Sequence, residues 1–249
     1  VSVAVTVRQP TAALSFTAQS STNVSCKNGN NGTATVTVAG GTPNYTYTWS
    51  PNVSTTSTAN TLTAGSYNLT VTDANNCSIS TSFTITEPTQ LVANISQTNV
   101  LCNGASTGSI TITASGATPS YTYTWNPATV SGSSPTGLAA GTYYLTIADM
   151  NSCQLDTTIT ITQPSTAIGI TRIDSLDVKC FGSNTGKVRI YVNGGTAGYT
   201  YVWSPNVSTT DSAINLAAGN YSVTASDANG CSVSVAVTVR QPTAALSFT

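Results

Sequence analysis

Apolar and polar residues alternate with a period of two along most of this chain. Ala34, Val36 and Val38 alternate with threonines, and Leu69 and Val71 belong to a second row of the same kind. Because successive side chains of a strand point to opposite faces, this period predicts half-buried β-strands. Clusters of Gly, Asn and Pro interrupt the pattern about every 8–12 residues, and no segment has a helical period. The pattern predicts an all-β protein made of tandem immunoglobulin-like antiparallel β-sandwich domains, arranged as beads on a string.

An aromatic strand recurs three times in the chain. Its rings occupy alternate positions and therefore lie on one face of the strand. Such a row either fills a core or stacks on sugar rings. Because the chain has few other large apolar side chains, we interpret the row as the core strand of each domain, with the threonines between the rings facing outward. The nine aromatic residues are Tyr45, Tyr47, Trp49, Tyr121, Tyr123, Trp125, Tyr199, Tyr201 and Trp203.

The cysteines reveal an internal repeat. The two cysteines of each successive pair are separated by the same number of residues in all three pairs. A tryptophan follows the first cysteine of each pair, again after a constant number of residues. Successive first cysteines recur about every 77 residues, which is enough chain for one small domain. The chain is therefore predicted to hold three copies of one domain. The six cysteines are Cys26, Cys77, Cys102, Cys153, Cys180 and Cys231.

The same stretch of sequence occurs at positions 1–17 and 233–249. The second occurrence continues the register of the three domains, which predicts an internal piece of a longer array in which a three-domain block repeats. An artificial overlap of the ends is the alternative, and it implies the same array. The predicted β-sandwich repeats are residues 11–88, 89–164 and 165–242, with the last strand of a preceding repeat at 1–10 and the start of the next at 243–249.

Both cysteines of a repeat share the parity of its apolar row, which predicts that they point inward and pair within the repeat. Regularly spaced cysteines, even in number, are typical of disulfides formed in an oxidising compartment. They would stabilise a core that is small for its chain length. Pairing across a junction, between Cys77 and Cys102, is the alternative. The expected bonds are Cys26–Cys77, Cys102–Cys153 and Cys180–Cys231.

Composition narrows the possible functions. Only 6% of the residues are charged, the formal net charge is -1, and there is no histidine. This balance gives no electrostatic basis for binding nucleic acid or an anionic membrane. Polar residues interrupt every apolar run, so we expect no membrane insertion in this segment. A weakly charged surface leaves little repulsion against lateral self-association into filaments.

Catalysis has little support among the residue types. There is no histidine to act as a general base, and the acidic residues are not paired, so we expect no catalytic residue and no cofactor. Asp73, Asp149 and Asp227 each precede an asparagine by two residues. One carboxylate per turn is weak ligation for Ca²⁺, so we predict an Asx-turn rather than a metal site.

The ordered motifs resemble the SprB repeat. They run from Gly40-Gly41-Thr42-Pro43 through the aromatic strand to Pro51, then Leu62-Thr63-Ala64-Gly65-Ser66-Tyr67, and end as in Asp227-Ala228-Asn229-Gly230-Cys231. The resemblance covers all three copies and nearly the whole chain. The second copy departs from it with Ser115-Gly116-Ala117, and the third with Ala197-Gly198, which puts the turn geometry in question there.

The resemblance implies an extracellular adhesin at the cell surface. SprB repeats occur in very large filamentous adhesins of gliding Bacteroidota, exported by type IX secretion. The implied partners are neighbouring repeats of the same chain and a surface polysaccharide or an abiotic surface. A carbohydrate-binding module and the spacer stalk of a secreted hydrolase are the alternatives. Three triplets also resemble the Asp-Ser/Thr-apolar acceptor of Bacteroidota O-glycosylation, centred on Thr157, Ser175 and Ser212.

Overall fold

The computed structural model describes residues 2–6 and 8–245, and every regular element in that part of the chain is a β-strand. Within the same residues there is no helix long and apolar enough to cross a membrane. Residues 2–6 and 8–10, in the predicted last strand of a preceding repeat, have no strand conformation. Positions 1 and 7 of that segment, and 246–249 of the predicted following repeat, lie outside the described residues.

Six strands make up the first repeat. They form two three-stranded antiparallel sheets, with the orders β1-β2-β4 and β3-β5-β6. The strands are β1 (Ser15–Thr22), β2 (Gly32–Ala39), β3 (Thr46–Ser50), β4 (Thr58–Leu62), β5 (Gly65–Thr72) and β6 (Ser78–Ile85).

The second and third repeats have the same strand orders. Their sheets are β10-β8-β7 with β12-β11-β9, and β13-β14-β16 with β15-β17-β18. The strands of the second repeat are β7 (Val92–Thr98), β8 (Gly108–Ser115), β9 (Thr122–Asn126), β10 (Thr136–Leu138), β11 (Gly141–Ala148) and β12 (Gln154–Ile161). Those of the third are β13 (Gly169–Leu176), β14 (Gly186–Asn193), β15 (Thr200–Ser204), β16 (Ser212–Leu216), β17 (Gly219–Ser226) and β18 (Ser232–Val239).

The core of the first repeat lies between its two sheets. Val36 and Ala59 come from one sheet, Trp49, Leu69 and Phe83 come from the other, and all five are buried in one cluster. The third repeat has an equivalent cluster drawn from both of its sheets. Two antiparallel sheets that share one core form a β-sandwich.

The strand order is that of an immunoglobulin-like sandwich. In the lettering of that fold, one sheet holds strands A, B and E and the other holds C, F and G, with the tryptophan on strand C. A tyrosine near the start of strand F donates its hydroxyl to a carbonyl four residues upstream, as in the tyrosine corner of immunoglobulin domains. The pairs are Tyr67 to Thr63, Tyr143 to Ala139 and Tyr221 to Ala217, at 3.0, 2.8 and 3.0 Å. The predicted all-β class is confirmed.

The turn before each aromatic strand has the same backbone in all three repeats, despite the sequence departures. Gly40 and its counterparts have φ between 72° and 81°, and a Cβ at Gly40 would collide with the carbonyl oxygen of Ala13. At the next position Ala117 has φ 48°, close to the 62° of Gly41. The second copy therefore keeps the turn at the cost of an alanine in the left-handed region.

By compactness the described residues divide into two units. The first runs to Asn94 and includes Thr113–Thr124 and Thr146–Thr157, and the second holds Ile95–Ile112, Trp125–Leu145 and the residues from Thr158 onward. The first unit contains the whole sandwich β1–β6, and the second contains the whole sandwich β13–β18. Strands of the middle repeat are divided between the units, and the residue boundaries of the three predicted repeats stay predictions.

Candidate functional site

Two disulfides join different repeats. Cys26 bonds to Cys153 and Cys102 bonds to Cys231, each with 5.6 Å between the Cα atoms. Cys77 and Cys180 are free and exposed. The predicted pairing within each repeat is therefore wrong, and so is the alternative between Cys77 and Cys102. In both observed bonds the first cysteine of one repeat is joined to the second cysteine of the next.

The sandwich itself explains the correction, because the two cysteines of a repeat lie at opposite ends of it. The first-cysteine turn (residues 23–31, with counterparts at 99–107 and 177–185) joins strands A and B beside the end of strand G, where Val24 N–H donates to Thr86 O at 3.0 Å. The second-cysteine turn (residues 73–77, 149–153 and 227–231) joins strands F and G at the other end, where Ala74 N–H donates to Thr42 O at 3.2 Å.

The length of a strand separates these two turns. β2 has 8 residues and runs from the first-cysteine turn towards the other end, which corresponds to about 25 Å. A disulfide needs Cα atoms within about 7 Å of each other. Cys26 and Cys77 lie in these turns, outside the strands, so parity with an apolar row tells neither where they point nor at which end of the sandwich they lie. The predicted inward orientation is also wrong for Cys77 and Cys180, because both are exposed.

A buried aspartate organises each second-cysteine turn. Asp73 Oδ1 accepts the N–H groups of Asn75 and Cys77, each at 2.9 Å, and Oδ2 accepts the N–H of Thr42 at 2.9 Å. Asp149 and Asp227 make the same three bonds in their repeats. The predicted Asx-turn is confirmed. No group of three or more His, Cys, Asp or Glu residues that could hold a metal occurs among the residues described.

The hydrogen bonds set the charge state of these aspartates. The pKa of Asp73 is lowered, first by the Thr42 N–H, and the pKa of Asp227 is lowered first by the Thr196 N–H. Burial of Asp149 opposes ionisation, but its backbone donors outweigh burial and lower that pKa as well. Hydrogen bonds to a carboxylate favour its charged form. Each second-cysteine turn is thus built around an ionised aspartate.

An asparagine extends each bonded second-cysteine turn to its partner. Asn151 Nδ2 donates to Thr118 Oγ1 at 2.9 Å and to the Ser25 carbonyl, next to Cys26, at 3.2 Å. Asn229 Nδ2 likewise reaches the Leu101 carbonyl, next to Cys102, at 3.1 Å. Each disulfide is therefore accompanied by a hydrogen bond to the residue before the first cysteine.

The first-cysteine turns are fixed to the residue that closes their own repeat. Glu87 accepts the N–H of Asn28 at 2.6 Å and forms an ion pair with Lys27. The Lys27 hydrogen bond is the first cause of the lowered pKa of Glu87, followed by the Asn28 N–H. Glutamines take this place in the other repeats, where Gln163 and Gln241 accept N–H groups at 2.8 and 2.9 Å. These contacts hold the turn that presents the first cysteine.

The aromatic strands supply side chains to the interior. The tryptophans are 2, 5 and 2% exposed, in chain order, and each Nε1 donates to a backbone carbonyl of its own repeat at 2.9 Å. The first tyrosine of each strand donates to the carbonyl of the glycine five residues earlier, at 2.6–2.7 Å. The second tyrosines, Tyr47, Tyr123 and Tyr201, are half-buried, whereas Thr46 and Thr48 are exposed. The structure thus places the rings where they are poorly available for stacking on a sugar.

The three candidate glycosylation residues lie on strands. Ser175 on β13 is exposed, while Thr157 on β12 and Ser212 on β16 are half-buried. Ser175 and Ser212 line one groove of the third repeat, whereas Thr157 lies in the second repeat. Their modification stays a prediction.

A charged face on the third repeat was not found from the sequence. Arg172 pairs with Asp174 at 2.8 Å and Arg189 pairs with Asp211 at 3.0 Å. Both guanidinium groups lie over the Tyr191 ring, 5.2 and 5.0 Å from its centroid. The signal was present, because Arg172 stands where the first repeat has Ala18, and Arg189 and Tyr191 stand where it has Thr35 and Thr37.

Comparison with solved structures gives likenesses of low sequence identity, among them the following three. One is to the N-terminal eight Ig domains of Down Syndrome Cell Adhesion Molecule isoform 1.30.30, with 11% identity and a TM-score of 0.41, over 90% of this chain and 36% of that one. Another is to extracellular domains 3–5 of Drosophila OTK, with 12% identity and a TM-score of 0.34, over 95% and 100%. Domains 1–6 of the surface layer protein SbsC give 16% identity and a TM-score of 0.29, over 93% and 40%.

Sequence comparison assigns the repeats. No curated protein has a significantly similar sequence. The model of the SprB repeat matches the chain three times, at residues 18–54, 94–130 and 173–208. Each match includes part of strand A, all of strands B and C, and the whole aromatic strand of one repeat. The chain thus contains three segments that match the SprB repeat, one in each of its three copies.

Proposed function

We propose that this chain is a structural and adhesive segment of a long extracellular filament that extends from the cell and attaches it to surfaces. The observation that carries the proposal is that disulfides join one repeat to the next. A bond of this kind does not serve a catalytic step, but it keeps neighbouring domains together under load. Each bond closes a loop of about 130 residues, worth about 5 kcal/mol in the chain-entropy model.

The disulfides also support the location. Such bonds persist in oxidising surroundings and are rare where thiols are kept reduced. A cell-surface adhesin of gliding Bacteroidota, exported by type IX secretion, is the finer form of the proposal, and the repeat family alone supports it. Neighbouring repeats are the first partners, and a polysaccharide or an abiotic surface is the proposed target.

Imaging and attachment test the proposal together. We expect purified native material to appear as filaments by negative-stain electron microscopy, and beads coated with it to adhere to glass or to polysaccharide films. Beads coated with reduced and alkylated protein are the control for load bearing. We expect them to detach at a lower flow rate than beads coated with native protein. Isolated globules that leave coated beads non-adherent would refute the proposal.

A second candidate function, carbohydrate binding, is favoured by the charged face of the third repeat. The Tyr191 hydroxyl donates to Asp174 Oδ2 at 3.2 Å, and the ring lies between two arginines. Fixed hydroxyl, carboxylate and guanidinium groups beside an aromatic ring are the groups that bind sugar hydroxyls. Ile214, on the neighbouring strand, is 60% exposed and adds apolar area.

Matched variants separate this candidate from a purely structural role. Arg189→Thr with Tyr191→Thr gives the third repeat the residues that the first has at Thr35 and Thr37. On a glycan array we expect at least a tenfold loss of signal if this face binds sugars. Thr35→Ala with Thr37→Ala is the control and should leave binding unchanged. Equal signal from both variants would eliminate the charged face as the binding site.

A further inference from the structure

The two free cysteines are one first cysteine and one second cysteine, the same two kinds that each observed disulfide joins. Both disulfides join a first cysteine to the second cysteine of the following repeat. Cys77 is the second cysteine of the first repeat, and Cys180 is the first cysteine of the third. Each is exposed, and the counterpart of its partner in the observed bonds falls outside positions 1–249.

We propose that Cys180 of one three-repeat block bonds to Cys77 of a second copy of the block, so that blocks join head to tail through the same junction. The occupant of the surface around Cys77 is thus the first-cysteine turn that carries Cys180. The proposal rests on the disulfides and the surfaces beside them, and it does not depend on adhesion.

The surface around Cys77 resembles the surface around Cys153, where a first-cysteine turn is bound. A groove beside Cys77 is lined by Leu14, Gly41 and Ile79. Their counterparts in the second repeat line the groove at Cys153, where Lys27 and Asn28 of the first repeat also lie. Those counterparts are Leu91, Ala117 and Leu155. The groove at Cys77 therefore shares these three wall positions with the groove at Cys153, and no first-cysteine turn of the described residues lines it.

The hydrogen bonds beside Cys77 are also in place. Asn75 Nδ2 donates to Thr42 Oγ1 at 2.8 Å, as Asn151 does to Thr118 at 2.9 Å. Asn151 also donates to Ser25 O, the carbonyl before the first cysteine. In a joined block, the second N–H of Asn75 would donate to the carbonyl of Lys179, which precedes Cys180.

The sequence period agrees with this pairing. The identity of the two termini places Val233 in register with Val1, so a following block would begin there. In that register, the counterpart of Cys77 in the following block comes 129 residues after Cys180. Cys231 follows Cys102 by the same separation of 129. The same bond therefore fits two blocks of one longer chain as well as two separate chains.

Bond formation is an oxidation, so it needs an acceptor for electrons. Both S–H bonds break and one S–S bond forms, which releases two protons and two electrons. A small-molecule disulfide such as oxidised glutathione accepts the two protons and the two electrons and becomes two molecules of reduced glutathione. The exchange passes through a mixed-disulfide intermediate.

Two single variants test the direction of the bond. Cys77→Ser keeps only Cys180 free, and Cys180→Ser keeps only Cys77 free. In a glutathione redox buffer we expect the mixture to form a heterodimer on non-reducing gels at least ten times faster than either variant forms a homodimer. Mass spectrometry should find the Cys77–Cys180 peptide pair. Homodimers formed as fast as the heterodimer, or no dimer at all, would overturn the proposal.

A third variant tests the surface as distinct from the thiols. Asn75→Ala in the Cys180→Ser background removes the expected bond to Lys179, and we expect heterodimer formation to slow at least threefold. Asn60→Ala, at an exposed position on β4, is the matched control and should not slow it. An unchanged rate with Asn75→Ala would show that the groove does not dock the turn.

Native material distinguishes the two sources of the partner. A Cys77–Cys180 peptide from protein that migrates as one chain on a non-reducing gel assigns the bond to neighbouring blocks of that chain. The same peptide from species at multiples of the chain mass assigns it to separate chains. Recovery of both cysteines as free thiols, after rapid alkylation of freshly collected cells, would refute the pairing in either form.

Discussion

The carboxylates of Asp73, Asp149 and Asp227 show how single residues fix the ends of these sandwiches. Each is buried, at 4–5% exposure, and each accepts three backbone N–H groups. The recurring Asp-x-Asn spacing predicted the Asx-turn. It could not predict the third bond, because Thr42 lies 31 residues away along the chain. Contacts between turns depend on the whole sandwich and leave no local pattern.

Acid should therefore weaken the fold through these aspartates. The folded state lowers their pKa below the ordinary 3.8, so their stabilisation is complete above about pH 4 and is lost as the pH falls through the lowered values. We expect the melting temperature, followed by circular dichroism, to fall steeply below about pH 4. With all three changed to Asn, we expect a lower melting temperature at about pH 7 and a flatter dependence below about pH 4.

The control for this prediction is Asp156→Asn. Asp156 is exposed and accepts the Thr146 hydroxyl. The acid-induced fall should persist in that variant. If the triple variant showed the same fall as the parent protein, other groups would be responsible for it.

At the scale of strands, the sequence predicted which side chains face inward but not where the strands end relative to one another. The period of two placed Trp49 and Leu69 in rows that the structure buries. It also placed Cys26 and Cys77 on inward rows, but both lie in turns outside the strands and Cys77 is exposed, so the disulfide that followed from this placement was wrong. Face is a local property of a strand, whereas the end at which a turn lies depends on topology. Knowing the A-B-E and C-F-G sheets would have been enough to exclude the bond.

The aromatic strand should contribute to stability in proportion to its burial. Trp49→Phe removes the bond from Nε1 to Thr56 O and leaves a small cavity next to Phe83. We expect a loss of about 2–3 kcal/mol in the free energy of unfolding by urea. Thr48→Val, on the exposed face of the same strand, keeps a β-branched side chain and should change stability by less than about 0.5 kcal/mol. Equal effects would mean that the row is not a core strand.

For the whole molecule, the main consequence of the disulfides is how far the chain can be pulled. The loops closed by Cys26–Cys153 and Cys102–Cys231 overlap along the sequence. The shortest covalent path between the ends therefore runs to Cys26, across to Cys153, back along the chain to Cys102, and across to Cys231. This path has about 95 residues, so even the unfolded chain should extend only about 330 Å, against about 870 Å when reduced.

Single-molecule force spectroscopy of variants tests this covalent path directly. Parent protein alone is not decisive, because three bonds within repeats would also leave a path of about 95 residues. With Cys153→Ser, the overlapping scheme leaves about 120 residues and a fully extended length of about 420 Å. Bonds within repeats would instead leave about 145 residues and about 510 Å. We expect the shorter length for Cys153→Ser and for Cys102→Ser alike, since either change leaves one long loop closed. The longer of these two lengths in both variants would restore the pairing within repeats.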